Sequence, residues 1–210
     1  YQGMFVKDTD YKIIKALEEK NDMFKKEKYM HSYPYCWRCS TPLIYYATMS
    51  WFVRVTELRD ELIKNNENIC WVPSHLKEGR FGNWLENVKD WALSRNKFWG
   101  TPLPIWRCDQ GHEIAIGGIA ELKEKANESL DGIDLHKPYV DKITIDCNRC
   151  KSKMWRVPDV IDCWYDSGAA SFAQYHYPFE NKELFEKSFP YSYNAEAIDQ
   201  TRGWVYTLHA

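Results

Sequence analysis

Cys108 and His112 stand with three residues between them, and Cys147 and Cys150 with two, so the chain offers four thiol and imidazole donors in two close pairs. A tetrahedral Zn²⁺ takes four ligands of this kind, and a close pair delivers two of them from one turn. The interval 113–146 leaves room for an inserted helix. Four protein ligands close the coordination sphere, so the role of such an ion is to hold the fold. The ordinary alternative is buried free thiols and a surface histidine. Cys36-x-x-Cys39 is half of a second site, because Cys70 and Cys163 stand alone. Its ordinary alternative is a pair of reduced thiols in a Tyr-rich turn.

Glu196, Asp199 and Gln200 set two carboxylates and an amide just ahead of a helix-patterned segment. Such groups reach a ligand lying over a strand end in an open α/β sheet, where they can grip ribose hydroxyls and an ammonium. Acidic residues at a helix start are also plain caps that offset the dipole. Asp162 and Asp166 flank Trp164 as a carboxylate pair, and Asp-Ser-Gly at 166–168 also reads as a turn. The phosphate loop G-x-x-x-x-G-K-[ST], the dinucleotide motif G-x-G-x-x-G, G-x-S-x-G and H-E-x-x-H are all absent.

The elements that must carry these groups follow from spacing. Ile13, Ile14 and Leu17 define a short amphipathic helix over 10–20. A strand is expected over 51–56 and a helix over 56–64 capped by Thr56. Phe81, Trp84, Leu85, Val88 and Ala92 predict the clearest helix, from about Gly82 to Ser94. Strands are expected near Ile105 and Ile114, a helix over 119–127, and two strands around the Cys147–Cys150 knuckle, the outline of a zinc ribbon. A helix after Gly168 extends to Tyr175, a loop holds Pro178 and Pro190, and Gln200–Ala210 is helical. No internal repeat is visible.

Composition sets bounds. The chain has 210 residues, 44% of them hydrophobic, enough for a packed core. A net charge of −2 supplies no basic field of the sort an autonomous nucleic-acid-binding domain uses, which argues against DNA as a partner. No apolar stretch is long enough for a membrane span. Seven cysteines, an odd number, favour reduced thiols and metal over a disulfide framework, hence a cytoplasmic setting. The chain opens at Tyr1 and closes inside an apolar segment at Ala210, as a piece of something longer would.

Several segments together resemble the isoleucine branch of the class I aminoacyl-tRNA synthetases. They are His31-Ser-Tyr-Pro-Tyr-Cys-Trp-Arg-Cys39 with Thr41-Pro-Leu-Ile-Tyr45, then Trp91-Ala-Leu-Ser-Arg-Asn-Lys-Phe-Trp-Gly-Thr-Pro102. They continue through Asp159-Val-Ile-Asp-Cys-Trp-Tyr-Asp-Ser-Gly168 to Asp199-Gln-Thr-Arg-Gly-Trp204. The order is the family's, and the motifs span most of the chain from about residue 30 onward.

The resemblance implies an α/β fold: part of a Rossmann-like, nucleotide-binding catalytic domain with an inserted zinc-ribbon-like subdomain. Residues 1–30 correspond to the tail of the inserted editing domain, and 31–106 to the return into the catalytic domain with the C-x-x-C half-site. Residues 107–157 correspond to the ribbon, and 158–210 to the segment that contacts aminoacyl-adenylate. The full-length ligase would use isoleucine, ATP with Mg²⁺ and tRNA(Ile). The ATP-binding H-I-G-H and K-M-S-K-S motifs are missing, so the slice by itself is expected to be inactive. By motif position Glu196, Asp199 and Gln200 contact the adenylate, Trp164 and Trp204 wall the side-chain pocket, and Cys108, His112, Cys147 and Cys150 bind Zn²⁺, with Cys36 and Cys39 as half of another zinc site. Ala197 stands where glycine is usual, a departure that matters if the backbone there needs positive φ. Two other readings compete: an autonomous zinc-ribbon module that docks RNA or protein, and a slice of the valine or leucine enzyme.

Overall fold

The computed structural model describes all residues, 1–210, in two compact units, Tyr1–Thr48 and Met49–Ala210. In the first unit, helix α1 runs Val6–Glu19. It starts before the apolar stripe, with Asp8 in its first turn suiting the positive helix end. It stops where Asn21 adopts φ 56°, a left-handed conformation asparagine tolerates. The Tyr-rich loop then folds back on itself through an antiparallel bridge between Tyr35 and Pro42.

The second unit opens with β1 (Phe52–Val53), a 3-10 turn at Val55–Leu58 and helix α2 (Arg59–Glu67). Thr56 does not cap a helix. Its N–H and hydroxyl both donate to Asp90 Oδ1, at 3.2 and 2.6 Å, which ties this turn to a residue distant in sequence.

The helix expected over 82–94 is also corrected. A π-helical turn at Lys77–Gly82 leads into a single turn α3 (Asn83–Glu86), and the chain then extends into β2 (Trp91–Ala92) and β3 (Ser94–Arg95). Phe81, Leu85 and Val88 are buried as the periodicity requires, in one cluster with Val55, Leu62 and Tyr206. The break comes because Trp91 and Ala92 pair with Val53 and Phe52, so strand pairing outcompetes continuation of the helix. Asn87 Nδ2 donates to the Asn83 carbonyl and closes the last turn.

Strands β4 (Ile105–Cys108) and β5 (Glu113–Ala115), helix α4 (Ile119–Lys125), and strands β6 (Thr144–Asp146) and β7 (Lys153–Arg156) fall where the sequence places them. They form an antiparallel sheet of order β5-β4-β7-β6. One face covers a core of Trp106, Leu122, Leu130, Val140, Ile143, Ile145 and Met154. Trp106 is 1% exposed, and its indole N–H donates to the Ile143 carbonyl at 2.9 Å, which satisfies the one polar atom it buries.

Strand β8 (Val160–Ile161) pairs with β3, and helix α5 (Cys163–Ala173) follows at once. Asp166-Ser167-Gly168 therefore lies inside a helix and is not a turn. Asp162 is the residue that starts the helix, its carboxylate accepting from the Trp164 N–H. Helix α6 (Lys182–Ser188) occupies the expected Pro-flanked loop; Phe185, stacked on Tyr177 at 4.0 Å, anchors it. A 3-10 turn at Ile198–Arg202 and helix α7 (Trp204–His209) close the chain. The content is α/β, every paired strand is antiparallel, and no helix is long and apolar enough to cross a membrane.

Candidate functional site

The β4–β5 and β6–β7 turns bring Cys108, His112, Cys147 and Cys150 together, their donor atoms all within 4.8 Å of one another. Cys108 Sγ and Cys147 Sγ each lie 3.5 Å from His112 Nδ1, and Cys150 Sγ lies 3.7 Å from Cys108 Sγ. A tetrahedral centre bonded to thiolate at about 2.3 Å and imidazole at about 2.05 Å has edges of about 3.6 Å between S and N and about 3.8 Å between S and S. These three separations match such edges. Hydrogen bonds from the Ser152 side chain and backbone, and then from His112, bring the Cys150 thiol down to about 6, so the ligating thiolate form prevails at neutral pH.

The turn that carries Cys147 and Cys150 has a second copy. Cys147 N–H donates to the Ser152 carbonyl at 2.8 Å and Lys151 N–H to the Cys147 carbonyl at 2.9 Å. Cys36 N–H donates to the Thr41 carbonyl and Ser40 N–H to the Cys36 carbonyl, both at 2.8 Å. Lys151 and Ser40 take the same left-handed conformation, φ 60° and 54°. Cys150 Sγ lies 3.0 Å from Ser152 Oγ, and Cys39 Sγ 3.0 Å from Thr41 Oγ1. The sequence carries the signal, because both turns read Cys-x-Arg-Cys-x-(Ser/Thr), a recurrence too short to count as an internal repeat. Thr41 lowers the Cys39 thiol through its hydroxyl and backbone. Cys36 and Cys39 thus hold the knuckle geometry, while no third donor joins them in this chain.

A second group of the expected residues meets where α5 and α7 cross. The Trp164 ring edge lies against Gly203, whose hypothetical Cβ would sit 3.5 Å from Trp164 Cη2. Trp204 follows in sequence, and its indole N–H donates to the Ser167 carbonyl of α5 at 3.1 Å. Gln200 Oε1 accepts the Trp204 backbone N–H at 3.1 Å, and its Nε2 donates to Asp199 Oδ2 at 2.9 Å. Gln200 therefore caps α7 and orients Asp199, a bond that sequence spacing could not reveal. Glu196 is exposed on the extended segment before the 3-10 turn and carries no hydrogen bond or ion pair within the chain. Ala197 has φ −67° and ψ 152°, ordinary for any L-residue, so alanine in place of glycine brings no backbone strain here.

A family model described as tRNA synthetases class I (I, L, M and V) matches residues 5–210, and the chain belongs to that family. Relatives named isoleucine–tRNA ligase align with all of it. The protein of Clostridium tetani is 57% identical over 210 residues, that of Clostridium novyi 56% over 210, and that of Treponema denticola 54% over 212. These alignments cover 100%, 100% and 99% of this chain and 20%, 20% and 19% of the relatives. The chain thus spans about a fifth of the length of the curated relatives it matches. Among solved structures, a LeuRS–tRNA–LeuAMS ternary complex of Agrobacterium radiobacter K84 is 21% identical, covers 50% of this chain and 14% of that one, and superposes with a TM-score of 0.27.

Proposed function

We propose that this chain is the central slice of an isoleucine-activating class I ligase and carries one wall of its aminoacyl-adenylate site. The observation that carries this reading is the meeting of Trp164, Gly203, Trp204 and Gln200, drawn from two motifs about forty residues apart, on one face of the α5–α7 crossing. Two large aromatic faces offer an apolar wall to a branched side chain, and the carboxylates of Glu196 and Asp199 offer acceptors for an ammonium and a ribose hydroxyl.

In the full-length enzyme the isoleucine carboxylate attacks the α-phosphorus of ATP and pyrophosphate leaves. A terminal ribose hydroxyl of tRNA(Ile) then attacks the acyl carbon, and AMP leaves. Neither step uses a side-chain nucleophile, so these residues contribute by positioning the reactants. A pocket that discriminates by one methylene gains little from it, which is the reason for a separate hydrolytic editing site. Residues 1–30 are assigned to the tail of that editing domain, 31–106 and 158–210 to the Rossmann-like catalytic domain, and 107–157 to its ribbon.

Zn²⁺ is the ion proposed for Cys108, His112, Cys147 and Cys150, on the thiolate-rich donor set and its tetrahedral edges. Bound there, it fixes the ribbon turns. Cys36 and Cys39 supply half of a second zinc site, with the other half outside this chain.

The test is amino-acid-dependent exchange of pyrophosphate into ATP by the full-length protein. Isoleucine should drive it well above valine and leucine, and the slice alone, which lacks the phosphate-binding motifs, should support none. Preference for valine or leucine would hand the assignment to a sister enzyme. Metal-dependent RNA or protein binding by the slice alone, with no exchange by the full-length protein, would favour an autonomous ribbon module.

A further inference from the structure

We propose that Asp162 is a positioning residue for the isoleucine side-chain wall, clamped by Arg95 and Trp91 so that the Trp164 ring is held at one angle. This rests on the reading of Trp164 as part of that wall. Asp162 is 4% exposed and uses both carboxylate oxygens. Oδ1 accepts the Trp164 backbone N–H at 3.3 Å, while Oδ2 accepts the Trp91 indole N–H at 3.1 Å and Arg95 Nη2 at 2.7 Å. Arg95 is itself fixed, since its Nη1 donates to the Ala92 and Ser94 carbonyls at 2.7 and 3.0 Å. The Asp162 backbone N–H donates to the Leu93 carbonyl at 2.7 Å, which holds the residue against the segment that carries Trp91 and Arg95.

The design exceeds what starting a helix requires. Serine, threonine or asparagine would cap α5 without burying a carboxylate, and an ion pair whose acid is buried while its Arg95 partner is 40% exposed is a poor source of net stability. What the pair does supply is geometry. Trp164 makes no hydrogen bond through its indole, so the ring's place is set by its backbone and by the surface of Gly203. Its backbone is in turn set by Asp162. One turn later a second tether acts on the same helix, Thr101 Oγ1 donating to Asp166 Oδ2 at 2.8 Å. The Trp91-Ala-Leu-Ser-Arg95 and Asp162-Cys-Trp164 motifs are therefore one mechanical unit, whose output is the orientation of an aromatic face.

The experiment is steady-state pyrophosphate exchange by the full-length protein carrying Asp162→Asn, with thermal unfolding in parallel. An amide presents a donor where Arg95 or the Trp164 N–H needs an acceptor. The KM for isoleucine should rise about tenfold, while kcat and the KM for ATP stay within about twofold, the pattern of lost ground-state binding. An unchanged KM for isoleucine, or a fall in kcat alone that tracks loss of folded protein, would overturn the proposal. If Asp162→Asn does not fold, Trp91→Phe removes one donor and keeps an aromatic ring at that position. It should raise the KM for isoleucine about threefold with the ATP value unmoved, and no change there overturns the proposal equally. Absence of isoleucine-dependent exchange in the unmodified protein would instead remove the reading of the site on which the proposal rests.

Discussion

Gly168 faces the backbone of Thr207 so closely that a Cβ on Gly168 would lie 2.2 Å from the Thr207 carbonyl oxygen. Helices α5 and α7 cross at this point, and each carries one tryptophan of the candidate site. Gly168→Ala would therefore have to push the helices apart, since the obstacle is backbone and cannot rotate away. Overpacking of this kind costs about 2–3 kcal/mol. Urea unfolding should report that loss, and a wild-type midpoint in the variant would mean the helices are not in this contact.

The donor cluster predicts metal dependence. Dialysed chain should carry about one zinc at the cluster, and Cys147→Ser should lose it together with a sharp thermal transition, because removing one of four ligands opens the coordination sphere. Elemental analysis with calorimetry measures both. A well-folded chain free of metal would remove the ion and leave four reduced side chains.

Arg156 on β7 is a buried strut of the four-stranded sheet, 6% exposed, ion-paired with Asp141. Its Nη1 donates to the Leu103 and Asp159 carbonyls at 3.1 and 2.8 Å. It thus ties β7 to the segments that enter and leave the four-stranded sheet. Arg156→Met keeps most of the volume and orphans those acceptors, so it should destabilise by about 2–3 kcal/mol in urea titration. A neutral result would place the cohesion of this region in the apolar core alone.

His209 gives a pH signature. Burial lowers its ring below the usual 6.5, partly opposed by the hydrogen bond to the Leu62 carbonyl. The folded chain therefore takes up this proton less readily than the unfolded chain. The contribution is complete above about pH 6.5 and is lost as pH falls through the lowered folded value. Urea midpoints should decline on acidification through this window, before most carboxylates titrate, and His209→Gln should flatten that part of the curve. An identical decline in the variant would assign it to another group.

How much of this could be read in the sequence depended on how local the cause was. The β4–β5 and β6–β7 strand pairs and the Cys/His donors on their turns were legible because each pair is set within a few residues. Val88 and Ala92 misled because helical periodicity records burial, and a chain that leaves its helix at Asn87 can still bury Val88 while Ala92 pairs with Phe52. Thr56 misled for a related reason, its partner Asp90 being visible only after folding. Asp166-Ser167-Gly168 looked like a turn because turn composition and a tight helix crossing both ask for small residues. Glu196, Asp199, Gln200, Trp164 and Trp204 are expectations from motif order, and the structure adds the bonds of Gln200 to Asp199 and to the Trp204 N–H, with Trp164 against Gly203.

The most direct test of the isoleucyl-adenylate wall is calorimetric titration of the full-length protein with a non-hydrolysable isoleucyl-sulfamoyl adenosine, beside Glu196→Gln and Trp204→Ala. Tight binding by the unmodified protein, weakened about tenfold or more in each variant, is the expected result. Equal affinity in all three would contradict the assignment of this surface.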